Sequence, residues 1–110
     1  MDKEKINKII EFLEYVLKRP QLYFGKDDDF EATLNFLFGV RHGVLTLLDS
    51  DKTIISSWHD AIIKRGHRLR PLNTIPEDMK KKGFENTDIV KEYIEIEIET
   101  WKIFRDNLEQ

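Results

Sequence analysis

The stretch 30–48, FEATLNFLFGVRHGVLTLL, constrains the fold more than any other part of the chain. At about 100° per residue on a helix, Phe30, Leu34, Leu37, Phe38, Val44, Leu45 and Leu48 share one broad apolar face, which Phe36, Val40 and Leu47 widen. The opposite side is small or neutral, with Ala32, Gly39, Gly43 and Thr46 flanked by Asn35 and His42. A helix that is apolar over more than half its circumference has to be covered on several sides. This segment is therefore expected to be the spine of a helical bundle. Gly39 and Gly43 each cost about 1 kcal/mol of helix propensity, and close approach of a neighbouring backbone is the expected return. Arg41 breaks the pattern, because it falls near the middle of the apolar face.

The rest of the chain supplies partners for such a helix. A first helix is expected at about 3–18, capped by Asp2, with Ile6, Ile9, Ile10, Leu13, Val16 and Leu17 on one stripe and Tyr15 opposite. Pro20 ends it, since the residue before a proline is pushed out of the helical region. The central helix is expected at about 28–48, behind the triplet Asp27, Asp28, Asp29, and a turn follows over 49–52. Ser57 with Asp60 three residues on resembles a capping box and would open a short helix at about 58–65, stopped by Gly66. Pro76 suits the first turn of another at about 76–82, with Gly83 past its end. The final helix is expected at about 88–108, capped by Asn86, Thr87 or Asp88.

One segment challenges this reading. Ile94, Glu95, Ile96, Glu97, Ile98 and Glu99 alternate strictly, which is the signature of a strand. Yet 89–108 contains no Gly or Pro, and Val90, Ile94, Ile98, Trp101, Phe104 and Leu108 fit a helical stripe. A lone strand would also leave its backbone polar groups unpaired. The expected fold is all-α, a compact helical bundle forming a single domain over 1–110.

The link between the first two helices is unusual, because Leu22, Tyr23 and Phe24 stand in a row. Tyr23 and Phe24 are expected to plug the gap between those helices. With Arg19, Pro20, Tyr23 and Gly25, the link resembles small uncharacterised bacterial and phage helical proteins that carry Arg-Pro-x-x-Tyr-x-Gly between two N-terminal helices. The resemblance covers about the first third of the chain and implies no particular activity.

Charge is segregated along the sequence. Net charge is −3 overall. Residues 64–82 carry seven basic and two acidic side chains (+5), while 83–110 carry three and eight (−5). Overall acidity argues against a nucleic-acid binder. The absence of cysteine excludes disulfides, thiolate zinc sites and cysteine nucleophiles. No apolar run approaches the roughly 20 residues of a membrane span, and the N-terminus lacks a signal-peptide pattern. A cytoplasmic, soluble protein is expected. His42, His59 and His67 are too few and too irregularly spaced for a metal site, so no metal or cofactor is expected. Arg41 and His42 superficially resemble the Arg-x4-6-His motif of helical RNases, but Thr46, Leu47 and Leu48 occupy the places where its histidine belongs. No Gly-x-Ser-x-Gly, phosphate-binding loop or dinucleotide fingerprint is present, and the chain leans away from enzymes.

Two constellations remain. Glu97 lies among Val90, Trp101 and Phe104 on the last helix, a charge as misplaced as Arg41 on the central one. Buried charges are tolerated chiefly when paired, and an arginine fork fits a carboxylate. Arg41 and Glu97 are therefore expected to meet, as a structural ion pair or as the polar floor of a ligand pocket. The second constellation is Lys64, Arg65, His67, Arg68 and Arg70 around Gly66, with Trp58 and His59 upstream. It can be a solvated cationic end, a surface for an acidic protein partner, or a cradle for an anionic or nucleotide-like ligand. The last helix offers the opposite charge on Glu92, Glu95, Glu99, Asp106 and Glu109. The expected function is a non-enzymatic protein-binding factor, such as a bacterial or phage inhibitor, immunity or defence-related protein. The alternative is a small-molecule binding domain with its pocket near Arg41, Glu97 and the 64–70 segment. A homo-oligomer joining basic segment to acidic helix is a third reading.

Overall fold

The computed structural model describes residues 3–47, 54–69 and 74–108. Six helices follow one another: α1 (Lys3–Lys18), α2 (Gln21–Phe24), α3 (Phe30–Leu47), α4 (Ile55–Lys64), α5 (Ile75–Lys81) and α6 (Asn86–Asn107). No strand occurs among the described residues, and the fold is all-α. The expected Asp2 cap, the turn over 49–52 and Arg70 lie outside the described residues.

The last helix is the spine. Helices α1, α3, α4 and α5 all pack on α6, which buries side chains on two sides. One side joins Val90, Ile94, Ile98, Trp101 and Phe104 to Ile6, Ile10, Leu13 and Val16 of α1, with Leu37 and Ile54. The other joins Ile89 and Ile96 to Ala61 and Ile62 of α4 and Ile75 and Met79 of α5. This explains the alternating isoleucines. Residues 94 and 98 are one turn apart and enter the first core, while 96 points the opposite way into the second. A helix gripped by two cores produces the same pattern as a strand.

The expectation that the central helix is the spine is corrected. On α3 only Thr33, Leu37 and Arg41 are buried, a stripe one residue wide at four-residue spacing. Leu47 is 86% exposed. A Cβ added at Gly39 or Gly43 would meet nothing within 4 Å, so neither glycine admits a neighbouring backbone. The Cα positions extend only 18 Å along the shortest axis, room for about two helix layers at roughly 10 Å each. In so thin a body α3 is covered mainly by α6, with Tyr23 and Phe24 against Phe36 and Trp58 against Phe38 at its flanks.

Helix ends differ from the sequence reading in instructive ways. α3 starts at Phe30, two residues later than expected, because Asp29 caps it. The Ala32 N–H donates to Asp29 Oδ1 (3.0 Å), and the Thr33 hydroxyl donates to the Asp29 carbonyl (2.8 Å). α4 starts at Ile55, so Ser57 is a buried residue inside the helix and not a cap. For α6 the cap is Glu85, whose N–H donates to Asp88 Oδ2 (2.9 Å) while its carboxylate accepts the Asp88 N–H. The 19–25 link holds a helical turn that the sequence reading lacks. Pro20 (φ −57°) starts α2, and Gly25 (φ 75°) ends it in the left-handed region that glycine enters freely. Tyr23 then meets Phe12 of α1 (5.7 Å between ring centroids) and Phe36 of α3 (6.2 Å). It fills the gap between those helices while staying 39% exposed.

Candidate functional site

Arg41 and Glu97 meet in the interior. Burial of both side chains makes an unpaired charge costly, and the fork geometry removes that cost. Arg41 Nε donates to Glu97 Oε2 (3.0 Å), Nη2 donates to Oε1, and Trp101 Nε1 donates to Oε2 (3.2 Å). Burial pushes the Glu97 carboxyl up, against these bonds. The Arg41 guanidinium also lies 4.9 Å from the Phe38 ring centroid and 5.3 Å from that of Trp58. Those two rings pack edge to face at 5.4 Å. The His59 ring is 5.6 Å from Trp58. On one side of the aromatic pair, Arg41 lines a cleft of about 340 Å³ with His42, Leu45, Ile54 and Ile55.

The basic segment is engaged within the chain. Arg65 forks onto Glu92 (Nε–Oε2 3.1 Å, Nη2–Oε1 2.6 Å), and His67 Nε2 lies 2.7 Å from Glu92 Oε2. Lys64 pairs with Glu99, and Arg68 forks onto Asp78 (3.0 and 2.9 Å). Burial pushes the Glu92 carboxyl up, but the bonds from Arg65 and His67 outweigh it and hold the group below the usual carboxylate range. The Arg68 bond likewise holds Asp78 down. Lys64, Arg65 and His67 of the basic stretch thus face the acidic α6, while Arg68 finds its carboxylate on α5, within the basic stretch itself. Gly66, His67 and Arg68 line a concavity of about 320 Å³ with Asp78, Lys81 and Lys82, distinct from the Arg41 cleft.

An opening larger than the Arg41 cleft lies on the other side of the Phe38–Trp58 pair. A cleft of about 560 Å³ runs between α3, α4, α5 and α6. Its walls are Phe30, Leu34, Phe38, Trp58, Ile62, Ile75, Pro76, Tyr93 and Ile96, with Glu31, Glu77 and Lys80 as the charged members. The Lys80 ammonium rests 5.2 Å from the Phe30 ring centroid. Burial, and then the Glu31 charge, push the Tyr93 hydroxyl up. Of the sequence-derived candidates among the described residues, only Trp58 lines this cleft. Phe30, Leu34 and Phe38 carry the same periodic signal as core residues, so periodicity cannot separate a cleft wall from a core.

Among the described residues no group of three His, Cys, Asp or Glu side chains is placed to hold a metal ion, and no helix is long and apolar enough to cross a membrane. Comparison with known proteins found no matching family model, no matching curated protein and no matching solved structure.

Proposed function

We propose that this chain is a non-enzymatic binding protein and that its ligand occupies the aromatic cleft between α3, α4, α5 and α6. The cleft itself carries the reading: about 560 Å³ of space, walled by four helices of a 110-residue chain. Its size, apolar walls and few charged groups match what small-molecule sites require. The described lining residues include no Ser, Thr, Cys or His, hence no such nucleophile beside a histidine base. An anionic, nucleotide-like ligand has less support, because Arg41, Arg65 and Arg68 already hold carboxylates of the same chain. The cysteine-free composition fits a reducing compartment such as the cytoplasm.

A second reading, a protein partner, rests on the α1–α2 surface. Tyr15, Leu22 and Tyr23 are 63%, 69% and 39% exposed there, and aromatic side chains of this kind anchor protein interfaces. Under it, an inhibitor, immunity or defence-related role fits the small size of the chain. Chemical-shift mapping with 3-phenylpropan-1-ol tests the first reading. Shifts are expected at Trp58, Ile62 and Tyr93, and they should vanish in Leu34→Trp, which fills the cleft. Shifts centred on Phe12 and Tyr23, or no shifts, would sink it.

A further inference from the structure

We infer that the cleft takes an organic cation, a molecule with an apolar, ring-sized body and a protonated amine or guanidinium held at the mouth by Glu31 and Glu77. The inference rests on the cleft being the binding site, and it adds the ligand's charge. Glu31 and Glu77 are exposed members of the cleft lining, and neither has an ion-pair partner among the described residues. They outnumber the single lysine there, Lys80. The cations Arg41, Lys64, Arg65 and Arg68 are each committed to another carboxylate.

Beside the Phe30 end of the cleft, a further concavity of about 290 Å³ carries Asp28, Asp29 and Glu31 against Lys26 alone. Clefts lined by one sign of charge concentrate ligands of the other. The Glu31 charge also acts on Tyr93 within the cleft, helping to push its hydroxyl up.

An aromatic face carries negative charge density and attracts cations. Phe30 already holds the Lys80 ammonium at 5.2 Å, and the far side of the Phe38–Trp58 pair holds the Arg41 guanidinium. A ligand cation at the mouth would take the place of Lys80 on Phe30. An anion would meet two carboxylates and gain one lysine.

Three probes with the same phenylpropyl skeleton isolate the charge: 3-phenylpropylamine, 3-phenylpropan-1-ol and 3-phenylpropionate. Affinities are read by NMR titration at low ionic strength. The amine is expected to bind roughly threefold to tenfold tighter than the alcohol, and the propionate more weakly than either. The paired change Glu31→Gln with Glu77→Gln should bring the amine to the level of the alcohol without altering the alcohol. Lys80→Met should tighten the amine further. If the alcohol perturbs cleft residues while the amine binds no better, or the propionate binds best, the cation inference falls and the cleft reading stands. If none of the three perturbs cleft residues, the cleft reading falls and takes the inference with it.

Discussion

Helix α6 carries two carboxylates, Glu92 and Glu97, that each receive an arginine fork under contrasting conditions. Glu97 is 3% exposed and its arginine is buried with it, at 6%. Its carboxyl is pushed up by burial in spite of Arg41 and Trp101. Glu92 stands at the edge of the fold, where Arg65 and His67 reach it from the end of α4 and just beyond, and its carboxyl is held down. The bond geometry is nearly the same at both sites, so burial decides the sign. The lesson concerns role. A buried pair contributes little net stability, because desolvation offsets attraction, yet it admits few arrangements. Arg41 on Glu97 fixes where α3 lies on α6, and Phe38 and Trp58 pack against that guanidinium. The wall of the cleft is thereby set by an ion pair that the cleft does not use.

The largest test of this comparison removes one partner at a time. Arg41→Met leaves a buried carboxylate with Trp101 alone and should cost about 3–5 kcal/mol in urea denaturation. Glu97→Leu strands the guanidinium among aromatic faces, with a similar loss. The double variant should recover most of it, since both charges leave the core together. Additive losses would mean that the two groups are not energetically coupled.

At the edge site the effect is smaller and its pH dependence reversed. Glu92→Gln should cost roughly 1 kcal/mol, since its partner Arg65 is partly screened by solvent. The Glu92 pKa is depressed on folding. Its contribution is therefore full above the unfolded value of about 4.3 and is lost as pH falls through the folded value. The Glu97 pKa is raised. Its contribution is full below about 4.3 and is lost as pH rises through the folded value. On acidification below about pH 4, the stability gap between the parent protein and Glu92→Gln should close. Relative to the Arg41→Met, Glu97→Leu double variant the parent should instead gain stability at higher pH, as pH falls through the folded Glu97 value to about 4.3, and gain no more below it. Urea midpoints measured across the acid range check both directions. Gaps that moved together would break the comparison.

These two sites were not equally legible in the sequence. A charge set in the apolar stripe of each of two helices has to find a partner, so Arg41 and Glu97 can be matched from the burial cost alone. The stretch 64–70 offered no such necessity. Its cations could equally face solvent, a ligand or a partner, and only the packing of α4 on α6 turns Lys64 and Arg65 toward Glu99 and Glu92. The same limit applies to α3. Periodicity shows that Phe36, Phe38, Val40 and Val44 are apolar, but not which element covers them, and in a body this thin they remain only half-buried. Helix α2 was hidden for a local reason, because Pro20 reads as the end of α1 when it is also the start of a single turn that Gly25 stops. The cleft was the least legible feature. It is assembled from four helices, and its wall residues are chemically those of a core.

The smallest expected effect tests where the division between the two kinds of ion pair falls. Lys64 is 65% exposed on its side chain and meets Glu99 at the surface of α6. Holding a long, solvated side chain in one geometry costs about as much as the attraction returns, so Lys64→Ala should change stability by no more than about 0.5 kcal/mol. Salt separates this pair from the buried one. At about 1 M salt the screening length falls to roughly 3 Å, and any coupling between Lys64 and Glu99 in a double-mutant cycle should disappear. The coupling between Arg41 and Glu97 should persist, because no ions enter the core between them. A salt-resistant Lys64–Glu99 coupling would instead make α4 part of the same rigid frame as Arg41. The cleft wall that Trp58 supplies would then be held from both ends of that helix.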